Sequence, residues 1–345
     1  MADGKIELKG LYKIFGSEPA KMLHHVRNGV TKQIILDEYN HVVALNDVNL
    51  SIPACGIEVI MGLSGSGKST LIRHINRLIE PTTGSILVDN VPVVEMNEKD
   101  LRNFRRFKAS MVFQNFALFP HRTAIENTAY GLIIQDIPRN EALERSQKWV
   151  ERVGLQGFEN YYPAQLSGGM QQRVGLARAL ATDADIMLMD EPFSALDPLI
   201  RTVMQDILLD LQAELQKTII FISHDLDEAL RLGDRIAILR DGFIVQESTP
   251  QDIILHPADE YVADFTKDIN RGRVLQIGTI MSEKRIEADL KIEEKMVLVD
   301  VLQILSNAGA HRAVVTRESK PIGSIDMDMM IAALSGQALG WDKLS

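Results

Sequence analysis

Two stretches of this 345-residue chain place reactive residue types at spacings suited to phosphate chemistry. The first is GLSGSGKST, Gly62 to Thr70, which fits the pattern G-x-x-x-x-G-K-[ST]. Glycines at 62, 65 and 67 let backbone N–H groups turn inward around phosphate oxygens, and Ser64, Ser66 and Thr70 complete the cradle. Lys68 would bridge the β- and γ-phosphates of a nucleotide, and the Ser69 hydroxyl would ligate Mg²⁺. The second stretch is IMLMDEP, which ends an apolar run on Asp190 and Glu191. A phosphate-bound Mg²⁺ needs an oxygen ligand from a neighbouring strand, and Asp190 supplies one. Glu191, one residue on, is placed to orient or deprotonate an attacking water.

A third stretch, LSGGMQQR from Leu166 to Arg173, has two adjacent glycines and no nucleophile partner. It opens a helical pattern, VGLARALA, whose first N–H groups suit an anion. One phosphate loop leaves the γ-phosphate exposed, so this turn reads as half of a site completed by another molecule.

Flanking patterns say what must hold these stretches. An apolar run, IEVIM, precedes the phosphate loop and KSTLIRHI follows it with helical period, the strand–loop–helix order the loop requires. DIMLMD and TIIFIS read as buried strands joined by the helical IRTVMQDILLDLQAELQ, which predicts a parallel sheet covered by helices. KIELKGLYKIFG alternates as a strand, residues 17–41 form a helical insert, and GSILVDNVPV is a strand pair turning at Asp89-Asn90. From Glu95 to about Gln165 helical patterns dominate. After Pro257 a smaller unit reads as strand (VLQIGTIM), helix (VLVDVLQILSNAG), strand (HRAVVTR), strand (PIGSID) and helix (MDMMIAALSG).

Composition narrows the function. The formal net charge of −10 makes the chain a poor partner for nucleic acid, whose binding rests on Lys and Arg. Cys55 is the single cysteine, so no disulfide forms within the chain. The charged N-terminal MADGKIELKG has no signal-peptide core, and no uncharged apolar run reaches bilayer length, so a membrane role would come through a partner.

GLSGSGKST, LSGGMQQR, LMDEPFSALD and FISHD stand in the order and approximate spacing of the ATP-binding cassette (ABC) ATPases, which the chain resembles over about residues 5–260. The resemblance implies a P-loop NTPase of the ABC cassette type: a RecA-like α/β core, an antiparallel β subdomain and a helical signature subdomain at about 95–170. It implies ATP and Mg²⁺ as ligands. Phe15 falls where an aromatic ring stacks on adenine, with Tyr12 as the alternative. Gln114 matches the glutamine that contacts Mg²⁺ and links the site to the membrane partner, and His224 the histidine that contacts the γ-phosphate. Ser167, Gly168 and Gly169, with Gln171 beside them, match the signature that closes over the ATP of a second, head-to-tail copy. Asp197 matches the loop that crosses to that copy.

The insert, NRLIEPTTGSILVDN and FSALDPLIRTVMQDILLDLQ resemble the subfamily that energises uptake of glycine betaine, proline betaine and choline; related systems take up trimethylamine N-oxide or histidine. The resemblance implies a peripheral ATPase on the cytoplasmic face of the bacterial inner membrane, held by permease subunits and served by a periplasmic or extracellular substrate-binding protein. It divides the chain into a cassette at 1–265, a linker at 266–273, a small α+β CBS repeat at 274–336 and a tail at 337–345. In GSIDMDM, Asp326 stands where CBS repeats that bind adenosyl ligands carry a hydroxyl, and Met329 where they carry the ribose-binding acid. Arg122 stands where an apolar residue is expected. A soluble cassette acting on nucleic acid or ribosomes, and a chain that is chiefly a regulatory sensor, are the other readings.

Overall fold

The computed structural model describes residues 5–284, 286 and 288–335; the expected tail at 337–345 lies outside them. The chain divides into two compact units between Glu247 and Ser248, upstream of the expected linker.

Ten strands build the first unit: β1 (Ile6–Phe15), β2 (Val42–Ile52), β3 (Ile57–Met61), β4 (Thr83–Val88), β5 (Val91–Pro92), β6 (Ala109–Val112), β7 (Ile186–Asp190), β8 (Thr218–Ser223), β9 (Arg235–Arg240) and β10 (Phe243–Ser248). They form two sheets, a four-stranded one in the order β2-β1-β4-β5 and a six-stranded one in the order β10-β9-β3-β8-β7-β6. The first pairs antiparallel throughout. Its β4–β5 turn puts Asp89 and Asn90 both at positive φ (49° and 63°), the pairing a two-residue hairpin of right-handed twist needs. In the second, β9, β3, β8, β7 and β6 run parallel. The runs IEVIM, IMLMD and TIIFIS are buried at every position, as strands covered on both faces must be. One mainly aliphatic core joins the sheets and includes Ile6, Leu50, Ile60, Leu71, Ile86, Leu188 and Ile220.

The helices Ala124–Ile134, Arg139–Arg152 and Gly168–Ala181 pack on one another around Ala129, Leu132, Ala142 and Ala181. The strand β6, which leads into Gln114, interrupts this mainly helical range and joins the core sheet beside β7. The insert folds as the helices Pro19–Arg27 and Lys32–Tyr39, anchored by Val26 and Ile35 against Tyr12, Ile14 and Val43. Arg122 is no misfit: its guanidinium lies 5.1 Å from the Phe119 ring centroid and 4.7 Å from that of Tyr130, a cation–π position against two rings.

The second unit holds a three-stranded sheet of β11 (Lys291–Glu293), β12 (Arg312–Arg317) and β13 (Lys320–Asp326), in that order. The helices Leu298–Ala308 and Met327–Ser335 follow β11 and β13. VLQIGTIM is not the expected strand. Leu275, Ile277 and Ile280 are fully buried, but Val274 ends one short helix, Arg271–Val274, and Ile277 begins another, Ile277–Ile280. The sheet's first strand is β11, which pairs parallel with β12. Asp326 caps the last helix, accepting from the Met329 N–H at 2.9 Å.

Candidate functional site

The phosphate loop connects β3 to the helix Lys68–Ile75, and backbone geometry explains its glycines. Gly65 and Gly67 have φ of 79° and 109°. A Cβ on Gly67 would run into the Ala44 carbonyl, and one on Gly62 into that of Leu239. The Lys68 side chain is 4% exposed, and its Nζ donates to the Gly62 and Leu63 carbonyls at 2.8 and 3.0 Å. Burial lowers the Lys68 pKa, while the Glu191 and Asp190 carboxylates push it back up.

Strand β7 delivers Asp190 and the turn after it delivers Glu191, which takes a left-handed φ of 45°. Asp190 is fully buried and uses both carboxylate oxygens. Oδ1 accepts from the Ser69 hydroxyl at 2.7 Å and Oδ2 from the Arg73 guanidinium at 2.9 Å. Oε2 of Glu191 lies 3.2 Å from Nε2 of Gln114, which donates to it, and 3.2 Å from Nδ1 of His224. The other Glu191 oxygen is 3.9 Å from Lys68 Nζ. Three residues from three separate stretches thus meet at the Glu191 carboxylate. Ser69, Asp190 and the Gln114 side-chain carbonyl offer hard oxygen donors, the chemistry Mg²⁺ prefers.

The loop carrying His224 is braced from below. Ser223 donates to Glu228 at 2.6 Å and Gln205 donates to its other oxygen at 3.1 Å. Burial raises the Glu228 pKa, against these two hydrogen bonds. Arg201 bonds Asp225 at 2.9 Å and ties the helix Pro198–Leu215 to the same turn. Sequence reading missed this brace, because its members are unremarkable until β7 and β8 pair.

Above the loop lies an open cleft of about 570 Å³. Phe15, Ser64, Gly65, Gly67, Lys68, Ser69, Thr70, Gln114 and Glu191 all line it. Of the two aromatic residues considered, Phe15 reaches the cleft and Tyr12 is buried in the insert core. Ser66 is buried and its hydroxyl has no partner among the described residues. Lys32, Gln33 and Leu36 of the insert also line the cleft, which sequence reading missed. The remaining signature residues do not. Ser167 caps the helix Gly168–Ala181 by accepting from Met170 N–H. Gly169 sits against Ile200 so closely that a Cβ would strike it. Gln171 donates to the Pro163 and Leu166 carbonyls at 3.0 and 3.1 Å, holding the preceding loop rather than facing the cleft. Asp197 caps the helix Pro198–Leu215 through Ile200 N–H at 3.1 Å. Within one chain, then, the phosphate loop and the signature turn do not form one pocket.

Residues 45–194 match the ABC transporter family. Over 283 residues, 82% of this chain and 67% of the relative, the chain is 54% identical to the glycine betaine transport ATP-binding protein OpuAA of Bacillus subtilis. It is 46% identical to the trimethylamine N-oxide transport system ATP-binding protein TmoW of Pelagibacter ubique, over 96% of this chain and 97% of the relative. It is 45% identical to the glycine betaine/proline betaine transport system ATP-binding protein ProV of Salmonella typhimurium, over 97% of this chain and 84% of the relative. Among solved structures, the dimeric post-hydrolysis state of the ATP-binding cassette MJ0796 with ADP and phosphate aligns with a TM-score of 0.61 at 34% identity, covering 71% of this chain and 98% of that one. Among the described residues no helix is long and apolar enough to cross a membrane. Phosphate loop, strand-end carboxylates, cleft and these likenesses agree: the chain belongs to the ABC transporter ATP-binding proteins of the glycine betaine/osmoprotectant importer family.

Proposed function

We propose that the chain is the ATP-hydrolysing subunit of an importer for glycine betaine or a related quaternary amine or N-oxide. The observation that carries this reading is the convergence of Lys68, Gln114 and His224 on the carboxylate of Glu191, which with Lys68 and Gln114 lines the cleft. In it, the loop N–H groups and Lys68 bind the β- and γ-phosphates, and Phe15 stacks on the base. Ser69, Asp190 and Gln114 would hold Mg²⁺, which would supply charge neutralisation to the phosphates when bound. Glu191 orients the water and takes its proton, and His224 and Gln114 hold that carboxylate in place.

Hydrolysis needs the outer side of the γ-phosphate covered. Ser167, Gly168 and Gly169 of a second copy supply that cover, with Asp197 crossing the same interface. Their separation from the cleft within one chain, and the dimeric state of the MJ0796 cassette structures it resembles, support a head-to-tail pair. Closure of the pair would pull on permease subunits through the Gln114 segment, with a substrate-binding protein delivering the ligand outside. The relatives' names, ATP-binding proteins of transport systems, support peripheral membrane association, and on this reading the chain lies on the cytoplasmic face, where ATP is. The second unit reads as a single CBS repeat, supported by its order of strand, helix, two strands and helix. Asp326 as a helix cap suits a structural part there better than nucleotide binding.

The test is uptake. Cells lacking their own osmoprotectant importers, given this chain with its neighbouring permease and binding protein, should accumulate labelled glycine betaine or trimethylamine N-oxide in an ATP-dependent way. Uptake of histidine with none of these ligands would overturn the substrate class.

A further inference from the structure

We propose that the insert helix Lys32–Tyr39 is the base-reading wall of the nucleotide cleft, and that Gln33 selects adenine through its amide oxygen. The inference rests on the ATP reading above and goes beyond it, because it assigns the choice of base to a segment outside the phosphate machinery.

The helix is fixed in register. Thr31 caps its start by accepting from Ile34 N–H, and Asn40 ends it in the left-handed region at φ 53°. Ile35 is fully buried against Tyr12, Ile14, Val26 and Val43. With Ile35 turned inward, Lys32, Gln33 and Leu36 share the face that lines the cleft. Lys32 lies 3.6 Å from the Asp241 carboxylate, a second tie between insert and core.

Large apolar side chains gather at this end of the cleft. Phe15, Leu36 and Val42 are 41%, 43% and 51% exposed, and all three line it. An aromatic ring and aliphatic side chains lining the same cleft suit a flat heterocycle, which gains by stacking; the Lys13 ammonium, 4.8 Å from the Phe15 centroid, shares that ring.

Gln33 adds polarity there in one sense. Its Nε2 donates to both oxygens of Asp37, each at 2.8 Å. In this exposed pair the amide nitrogen faces Asp37, which leaves the amide oxygen to accept. Adenine presents an amino donor at its six-position, whereas guanine and hypoxanthine present a carbonyl acceptor there. An acceptor held by Asp37 therefore favours adenine and opposes the oxo bases.

The experiment is competitive displacement of a fluorescent ADP from the full chain by ATP and by inosine triphosphate, which carries the six-position carbonyl. The wild type should prefer ATP by about three- to tenfold, the worth of one hydrogen bond. Gln33→Leu should bring the ratio towards one while ATP still binds. Asp37→Ala leaves Gln33 in place but frees its amide to turn, so it should lower the ratio as well, a change that a packing role for Gln33 would not produce. Should Gln33→Leu fail to fold, Asp37→Ala decides. A wild type without preference, or variants that bind ATP with the wild-type ratio, would overturn the assignment of Gln33. A wild type that binds neither nucleotide would instead overturn the ATP reading on which it rests.

Discussion

Glu191→Gln isolates the chemical step from binding. The substitution keeps volume and shape but removes one negative charge. In the native site one carboxylate oxygen faces both Gln114 Nε2 and His224 Nδ1 at 3.2 Å, and the other lies 3.9 Å from Lys68 Nζ. The amide oxygen of a glutamine can occupy the first of these positions and keep the local frame. What is lost is the proton acceptor, and a positioned base is worth about 100- to 10,000-fold in rate. At 1.36 kcal/mol per decade that is about 3–5 kcal/mol of barrier. Binding should not weaken, because Lys68 sheds an opposing carboxylate and the triphosphate meets one negative charge fewer. Phosphate release at saturating Mg²⁺-ATP, nucleotide titration and light scattering on the same preparation separate these effects. The expected result is turnover down by at least 100-fold, ATP affinity equal or higher, and a dimer that persists with ATP. Turnover within tenfold of wild type would refute Glu191 as the base, and loss of ATP binding would place it in the cradle instead.

Other outcomes follow from the same geometry. Ser167→Arg should leave ATP affinity of the monomer unchanged but block ATP-dependent dimerisation and hydrolysis; loss of monomer binding would sink the two-chain site. Gly67→Ala should abolish nucleotide binding, since the residue sits at φ 109° against the Ala44 carbonyl, and calorimetric binding at wild-type affinity would contradict this. Glu58 is buried with neither carboxylate oxygen hydrogen-bonded, and desolvation, reinforced by Glu247, pushes its pKa up to about 8. Arg235, 3.7 Å away, and Asp234 act in opposite directions on it. A raised folded-state pKa means the native state holds a proton that the unfolded chain releases near its ordinary value, so this group costs stability as pH climbs from about 4.5 to about 8. Glu58→Gln should therefore gain melting temperature relative to wild type across that window and level off above it; a pH-independent difference between the two would refute the argument. Arg122→Ala should cost about 1 kcal/mol or less in urea unfolding, the worth of an exposed cation–π contact.

Much of the site was legible because its parts are local. The strand–loop–helix around Lys68 and the apolar run ending on Asp190 and Glu191 each state their structure within ten residues or so, through burial pattern and glycine placement. What the sequence hid was long-range. Arg73 is an ordinary helix residue until β7 brings Asp190 to it. Ser223, Gln205 and Glu228 form a brace only once β8 and the helix Pro198–Leu215 are in place. The insert's place in the cleft depends on Ile35 burying against β1 and β2 side chains, and nothing in KQIILDEY announces which face turns inward. VLQIGTIM misled for a different reason: short apolar runs fit strand and helix alike. Gln171 stands in a motif associated with the partner's nucleotide, yet its amide is spent on its own loop.

Lys68 donates its hydrogen bonds to the Gly62 and Leu63 carbonyls of the loop it belongs to. The cradle is thus shaped by its own lysine and does not depend on an arriving anion to organise it. Little conformational entropy remains to be lost when phosphate enters, so capture should proceed close to the rate of diffusion into the open cleft. In the proposed two-cassette cycle the slow events would then belong to the meeting and parting of the cassettes.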